Sequence, residues 1–152
     1  MIGRAAMCAG MLAFATCTTV AAAHVTISPT TLQARSFDEI VFRCPNERPN
    51  ASTVKLTVQL PAGGGIGAVK VRVPAGWHGR IAGRTITWDG GTIAPGRSQN
   101  FTIFAGPISP GRRVLAFKAL QTYSNGEVVR WIQIRQPGQP QVPHPAPVLT
   151  VR

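Results

Sequence analysis

Val54-Lys-Leu-Thr-Val-Gln-Leu60 alternates without a break, with Val54, Leu56, Val58 and Leu60 on one side and Lys55, Thr57 and Gln59 on the other. Successive side chains of an extended backbone point to opposite faces, so this stretch predicts a strand with one face in a core and one in water. Val69-Lys-Val-Arg-Val73 repeats the pattern with its valines facing inward. Apolar runs at 38–44, 81–88, 100–105, 113–118 and 127–134 extend it. Turn formers separate the runs: Pro61-Ala-Gly-Gly-Gly65, Pro74-Ala-Gly76, Asp89-Gly-Gly91, Pro95-Gly96, Pro110-Gly111 and Asn125-Gly126. No apolar stripe at helical spacing outlasts one turn. About eight or nine short strands at this spacing predict an all-β fold, an immunoglobulin-like antiparallel β-sandwich.

The 152 residues suffice for one core. With 44% hydrophobic and 14% charged residues the chain is not a disordered polyelectrolyte, and its 16 glycines and 13 prolines follow no triplet period, which excludes collagen. Sixteen basic residues against five acidic ones give a net charge of +11. The basic residues are scattered, with Lys55, Lys70, Arg72 and Arg130 at outward strand positions and only Arg112 and Arg113 adjacent beyond the first 23 residues. A basic helix and a stacking platform of aromatics are both missing, so nucleic acid is not the expected partner. The charge fits solubility and loose attraction to anionic envelope polymers.

Residues 5–23, AAMCAGMLAFATCTTVAAA, carry no charge, follow Arg4 and end in Ala21-Ala22-Ala23. This is the pattern of a secretory leader cleaved after small residues, and it predicts a signal peptide over 1–23. Its alanines and threonines make it a poor membrane anchor, and Phe14-Ala15-Thr16 before Cys17 is a poor lipoprotein site. The mature domain then runs over 24–152 with a net charge of +10. Cys8 and Cys17 leave with the leader, so Cys44 is the only thiol and forms no internal disulfide. It alternates inward with Ile40 and Phe42, which marks it as a small core residue. Residues 136–147 hold five prolines. Val148-Leu-Thr-Val151 beyond them can dock as an edge strand, where preceding prolines break no ladder.

Cleavage after Ala23 leaves His24 with a free α-amino group and an imidazole on one residue. The amine and Nδ1 close a chelate ring, and Cu(II), which favours nitrogen and oxygen donors in a plane, is its natural guest.

The chain is similar to a known family in several ordered blocks. They are His24-Val-Thr-Ile-Ser-Pro29, Val73-Pro-Ala-Gly-Trp77, Ile86-Thr-Trp-Asp-Gly-Gly91 with Ile93-Ala-Pro-Gly96, Phe117 to Trp131, and His144-Pro-Ala-Pro-Val-Leu149. Together they resemble the YcnI-like family of exported bacterial copper-binding domains. The resemblance implies a sandwich whose N-terminal His grips Cu(II) through amine and imidazole, with a Glu oxygen as a further ligand and a Trp against the metal. It puts His24 in the brace and Trp131 at the site. The family's Glu precedes a Phe after the Pro-Gly turn. In Arg97-Ser-Gln-Asn-Phe101 that position is Asn100, or Gln99 if the register slips, and neither is a carboxylate. The expected ligand set is therefore His24, Asn100 and Trp131, with weaker Cu(II) binding than in Glu-bearing relatives.

Other candidates read more plainly. Trp77 and Trp88 are expected in the core, Glu127 at a strand start paired to an Arg or solvated, with the missing ligand as its lesser alternative, and His78 and His144 in solvent-facing loops. The expected function is copper trafficking or homeostasis, with a copper-trafficking membrane protein as partner. The alternative is an envelope interaction module with a degenerate metal site. An enzyme is not expected: oxidative polysaccharide cleavage needs His78 or His144 to converge on His24, and five acids leave no paired-carboxylate motif. No apolar span follows the domain, so a soluble periplasmic or extracellular product is expected, without a transmembrane anchor. Intact-mass measurement of the exported protein should give a chain starting at His24; any other first residue removes the chelating amine.

Overall fold

The computed structural model describes residues 24–111 and 113–152; the expected leader, 1–23, lies outside them. The described residues form twelve strands: β1 (Thr26–Ser28), β2 (Thr31–Leu32), β3 (Asp38–Pro45), β4 (Thr53–Gln59), β5 (Ile66–Arg72), β6 (His78–Ala82), β7 (Thr85–Ile93), β8 (Ser98–Ile108), β9 (Arg113–Ala116), β10 (Lys118–Tyr123), β11 (Val128–Trp131) and β12 (Val148–Val151). No helix among them is long and apolar enough to cross a membrane.

Two sheets carry the fold, ordered β1-β3-β8-β5 and β11-β10-β4-β7-β6, every pairing antiparallel. Alternation fixes which residues meet between them. On the inner face of the first sheet Ile27 opposes Phe42, which opposes Phe101, and Ile40 opposes Ile103. In the second, Gln121, Leu56 and Trp88 lie abreast, as do Ala119, Val58 and Ile86. Trp88 joins the layers, its ring 5.2 Å from Phe101 and 6.4 Å from Phe42, centre to centre. Phe117 and Trp77 extend the cluster at 5.4 Å from Phe42 and 4.9 Å from Phe101. Edge and tilted contacts of this kind suit the ring quadrupoles. Gly91 lets Trp77 in, because a Cβ there would collide with the indole.

The strand reading holds with instructive departures. The run 81–88 is a hairpin, β6 and β7, since Gly83 takes φ +57° and turns the chain tightly before Thr85. Val73, expected inward, lies beyond the end of β5 and is exposed. The run 113–118 breaks at Phe117, and a further strand, β10, follows it. β12 is no edge: it lies between β2, to which it runs parallel, and β9, to which it is antiparallel. This small third sheet adds Leu32, Leu115, Leu149 and Val151 to the common core.

Cys44 is fully buried, and the loss of solvation pushes its thiol up to about 12. A thiol without a thiolate neither binds soft metal nor attacks disulfides. Ellman's reagent at pH 8 should leave native protein unmodified for hours and titrate Cys44 fully in urea; rapid reaction of the native protein would contradict this burial.

Candidate functional site

β1 and β11 are edge strands of the two main sheets, and the residues flanking them meet. His24, two residues before β1, packs its imidazole edge-on against Trp131 at the end of β11, ring centres 5.5 Å apart. His24 is half-buried and Trp131 is 4% exposed. Around them lies a cleft of about 110 Å³ lined by Glu47, Arg48, Tyr123 and His144 among others.

Trp131 is placed by its strand and by one hydrogen bond. Val129 and Trp131 alternate inward on β11, and the indole Nε1–H donates to Gln121 Oε1 at 3.1 Å. Gln121, with no exposed surface, donates through Nε2 to Pro45 O and to Thr53 Oγ1, both at 2.8 Å. This one amide binds β10 to β11, to the end of β3 and to the start of β4. No buried side-chain polar atom among the described residues lacks a partner.

Glu47 is placed by its neighbours. Asn46, 1% exposed, donates through Nδ2 to Ala51 O and Ile93 O, each at 2.8 Å. Its Oδ1 accepts from Arg48 N at 2.9 Å, closing an Asx turn across Glu47. Arg48 then grips both carboxylate oxygens of Glu127 through Nε and Nη2, and its guanidinium carbon lies 5.4 Å from the centre of the Tyr123 ring. Glu47 itself belongs to none of the ion pairs among the described residues. It is exposed and is the one carboxylate that lines the cleft.

The Arg48 hydrogen bonds hold the Glu127 carboxyl below its usual range, and burial raises the Tyr123 phenol. Glu127 is thus committed to Arg48, the pairing expected of it, and not to a ligand role.

The Pro-rich segment closes the cleft. Gln133, just past β11, donates from its backbone N–H to His144 O at 3.0 Å and accepts from Ala146 N at 2.9 Å, while its side-chain oxygen takes the His144 N–H at 2.7 Å. His144, expected as a loop residue facing solvent, is exposed yet lies 5.3 Å from Trp131 ring to ring. His78 sits on β6, at the opposite edge of the five-stranded sheet from Trp131.

The expected set of His24, Asn100 and Trp131 is therefore brought together only in part. Asn100 is exposed on β8 opposite Arg43, which itself opposes Thr26 of β1. Two strand spacings, about 10 Å, separate β8 from the edge that leads to His24. Gln99 fares no better: it opposes Cys44 and bonds the Asn100 carbonyl at 2.9 Å. The acid that reaches the cleft is Glu47. Its signal in the sequence is Pro45-Asn46-Glu47-Arg48-Pro49, an acid at a strand end between a turn-forming Asn and a Pro.

Among the described residues no three His, Cys, Asp or Glu side chains gather as a metal site.

Gln121→Leu should strand the indole N–H, the Pro45 carbonyl and the Thr53 hydroxyl, costing about 3 kcal/mol in urea unfolding. Because Glu127 has a lowered folded pKa, its pair with Arg48 stabilises above the ordinary carboxylate range and is lost as pH falls through the folded value. Glu127→Gln should therefore flatten the acid limb of stability against pH; an unchanged limb would show that the pair carries no linkage.

The fold recurs elsewhere. The chain is similar to an uncharacterised protein from Nocardia farcinica with an immunoglobulin-like fold, at 30% identity and a TM-score of 0.74, over 84% of this chain and 97% of that one. A cohesin module of a family 33 glycoside hydrolase from Clostridium perfringens shares the fold alone, at 12% identity and a TM-score of 0.53, over 84% of this chain and 95% of that one. No curated protein matches. The model of one family, a domain of unknown function, matches residues 24–84 and 80–151, and on that coverage the chain belongs to the DUF1775 family.

Proposed function

We propose that this is an exported, non-catalytic domain of YcnI-like type that holds Cu(II) as cargo, gripped by the α-amine and imidazole of His24 with the carboxylate of Glu47 as the oxygen donor. The observation that carries the reading is the meeting of His24, Glu47 and Trp131 in one cleft. Two nitrogens and one carboxylate oxygen suit cupric ion, and the carboxylate brings the negative charge that an Asn amide lacks.

Trp131 covers one side of His24 and limits the positions the imidazole can take. The Asx turn of Asn46 fixes the backbone on either side of Glu47, and Arg48 spends its fork on Glu127 instead of competing for Glu47. With a carboxylate in the ligand set, the expectation of weakened binding through Asn100 is withdrawn. The cleft holds a single carboxylate and so no acid–base pair, while His144 shares it with His24, so a second imidazole is the feature that would favour catalysis over carriage. A copper-trafficking membrane protein is the partner that such a carrier calls for.

Isothermal titration of the chain beginning at His24 with Cu(II) tests the reading. Glu47→Gln should weaken binding at least about tenfold, the loss that even a group supporting a metal ligand brings. Asn100→Glu should change nothing, and one extra residue before His24 should abolish tight binding. If the extended chain binds as tightly, the α-amine is not a ligand and the brace reading fails.

A further inference from the structure

Beside the metal cleft, on the other side of the Glu47–Arg48 turn, lies a second and larger groove of about 450 Å³. Arg43, Arg48 and Arg97 line it together with the hydroxyl residues Thr26 and Ser98, and Glu47 is its one acid. The ion pairs among the described residues engage Arg48, Arg72 and Arg80, which leaves Arg43 and Arg97 without an anionic partner there. Both are exposed.

The frame behind the arginines is fixed. Asn46 N donates to Arg97 O at 2.8 Å, Gly96 N to Asn46 O at 2.9 Å, and Arg48 N to Asn46 Oδ1 at 2.9 Å. Arg43 is fixed separately on β3, between Thr26 of β1 and Asn100 of β8. Asn46 thus holds the segments of Arg48 and Arg97, and the β3 ladder holds that of Arg43, around one hollow. The backbones that carry these groups are set before an anion arrives, and since Arg48 keeps Nε and Nη2 on Glu127, Arg43 and Arg97 are the guanidinium groups that meet it. Planar guanidinium forks match carboxylates two bonds at a time. The hollow is of the size of small-molecule sites and larger than one oxyanion fills.

We infer that this groove binds a small polycarboxylate, a di- or tricarboxylate of the kind that chelates divalent metal in solution. Such a molecule seated there brings its metal within reach of Glu47, which lines both hollows. That role in loading copper rests on the function proposed above; capture of the anion does not.

The test is an amide chemical-shift titration of the metal-free chain from His24 with citrate, inorganic phosphate or chloride at matched ionic strength. Citrate should give saturable shifts at 43–49 and 96–98, and phosphate should bind at least tenfold more weakly. R43Q/R97Q should weaken citrate at least tenfold. Glu47→Gln, which removes the only acid of the groove, should tighten it severalfold and keeps the test decisive if the double variant is poorly folded. Equal binding of phosphate, shifts spread over every basic residue, or citrate affinity indifferent to these substitutions would overturn the inference. Because no copper is present, none of these results bears on the metal site, and a failed copper titration leaves the groove untouched.

Discussion

The hydrogen bond from Trp131 to Gln121 is the constraint on which the rest of the cleft depends. A fully buried primary amide is costly unless all its groups are matched, and here the match is made by a side chain from β11, a carbonyl from β3 and a hydroxyl from β4. Those are the strands whose ends frame the site. The same bond that satisfies the amide sets the rotation of the indole, and the indole sets where the His24 ring can rest. Packing alone would hold Trp131 in the core without fixing which way its N–H points.

The geometry around it follows from leaving two sheet edges side by side. An immunoglobulin-like sandwich has open flanks, and this chain covers one with irregular segments tied by polar side chains. Asn46 ties the loop after β3, and Gln133 ties the Pro-rich segment. Proline has no N–H to offer, so a segment with five of them docks through the few donors it keeps, the amides of His144 and Ala146. Arg48, which lines the cleft, is held by Glu127 in a charged pair that is partly open to water. The pair's contribution to stability is small, but it removes Glu127 from competition and keeps Glu47 as the available anion.

Alternation made most of the fold legible. Val54–Leu60 and the run to Cys44 declared themselves because their inward positions are apolar, and Trp77 and Trp88 fell in the core where aromatics of such runs belong. β10 escaped because its inward row, Ala119, Gln121 and Tyr123, is small and polar, so the period of two vanishes at the strand that organises the site. The meeting of His24 and Trp131 in one cleft agrees with the pairing that the family resemblance implied. Glu47 was hidden because its place depends on an Asx turn and not on periodicity. Asn100 looked right by its neighbours in sequence, yet a strand position says nothing of distance to an edge two strands away. His144 is the exposed loop residue expected, and what periodicity did not show is that Gln133 holds its segment against Trp131.

Electron spin-echo modulation of the Cu(II)-loaded chain beginning at His24 tests the central claim most directly, since it counts coordinated imidazoles. The account predicts the remote-nitrogen signature of one imidazole, lost when His24 is replaced by Gln. A signature of two imidazoles, or one that survives that replacement, would contradict it.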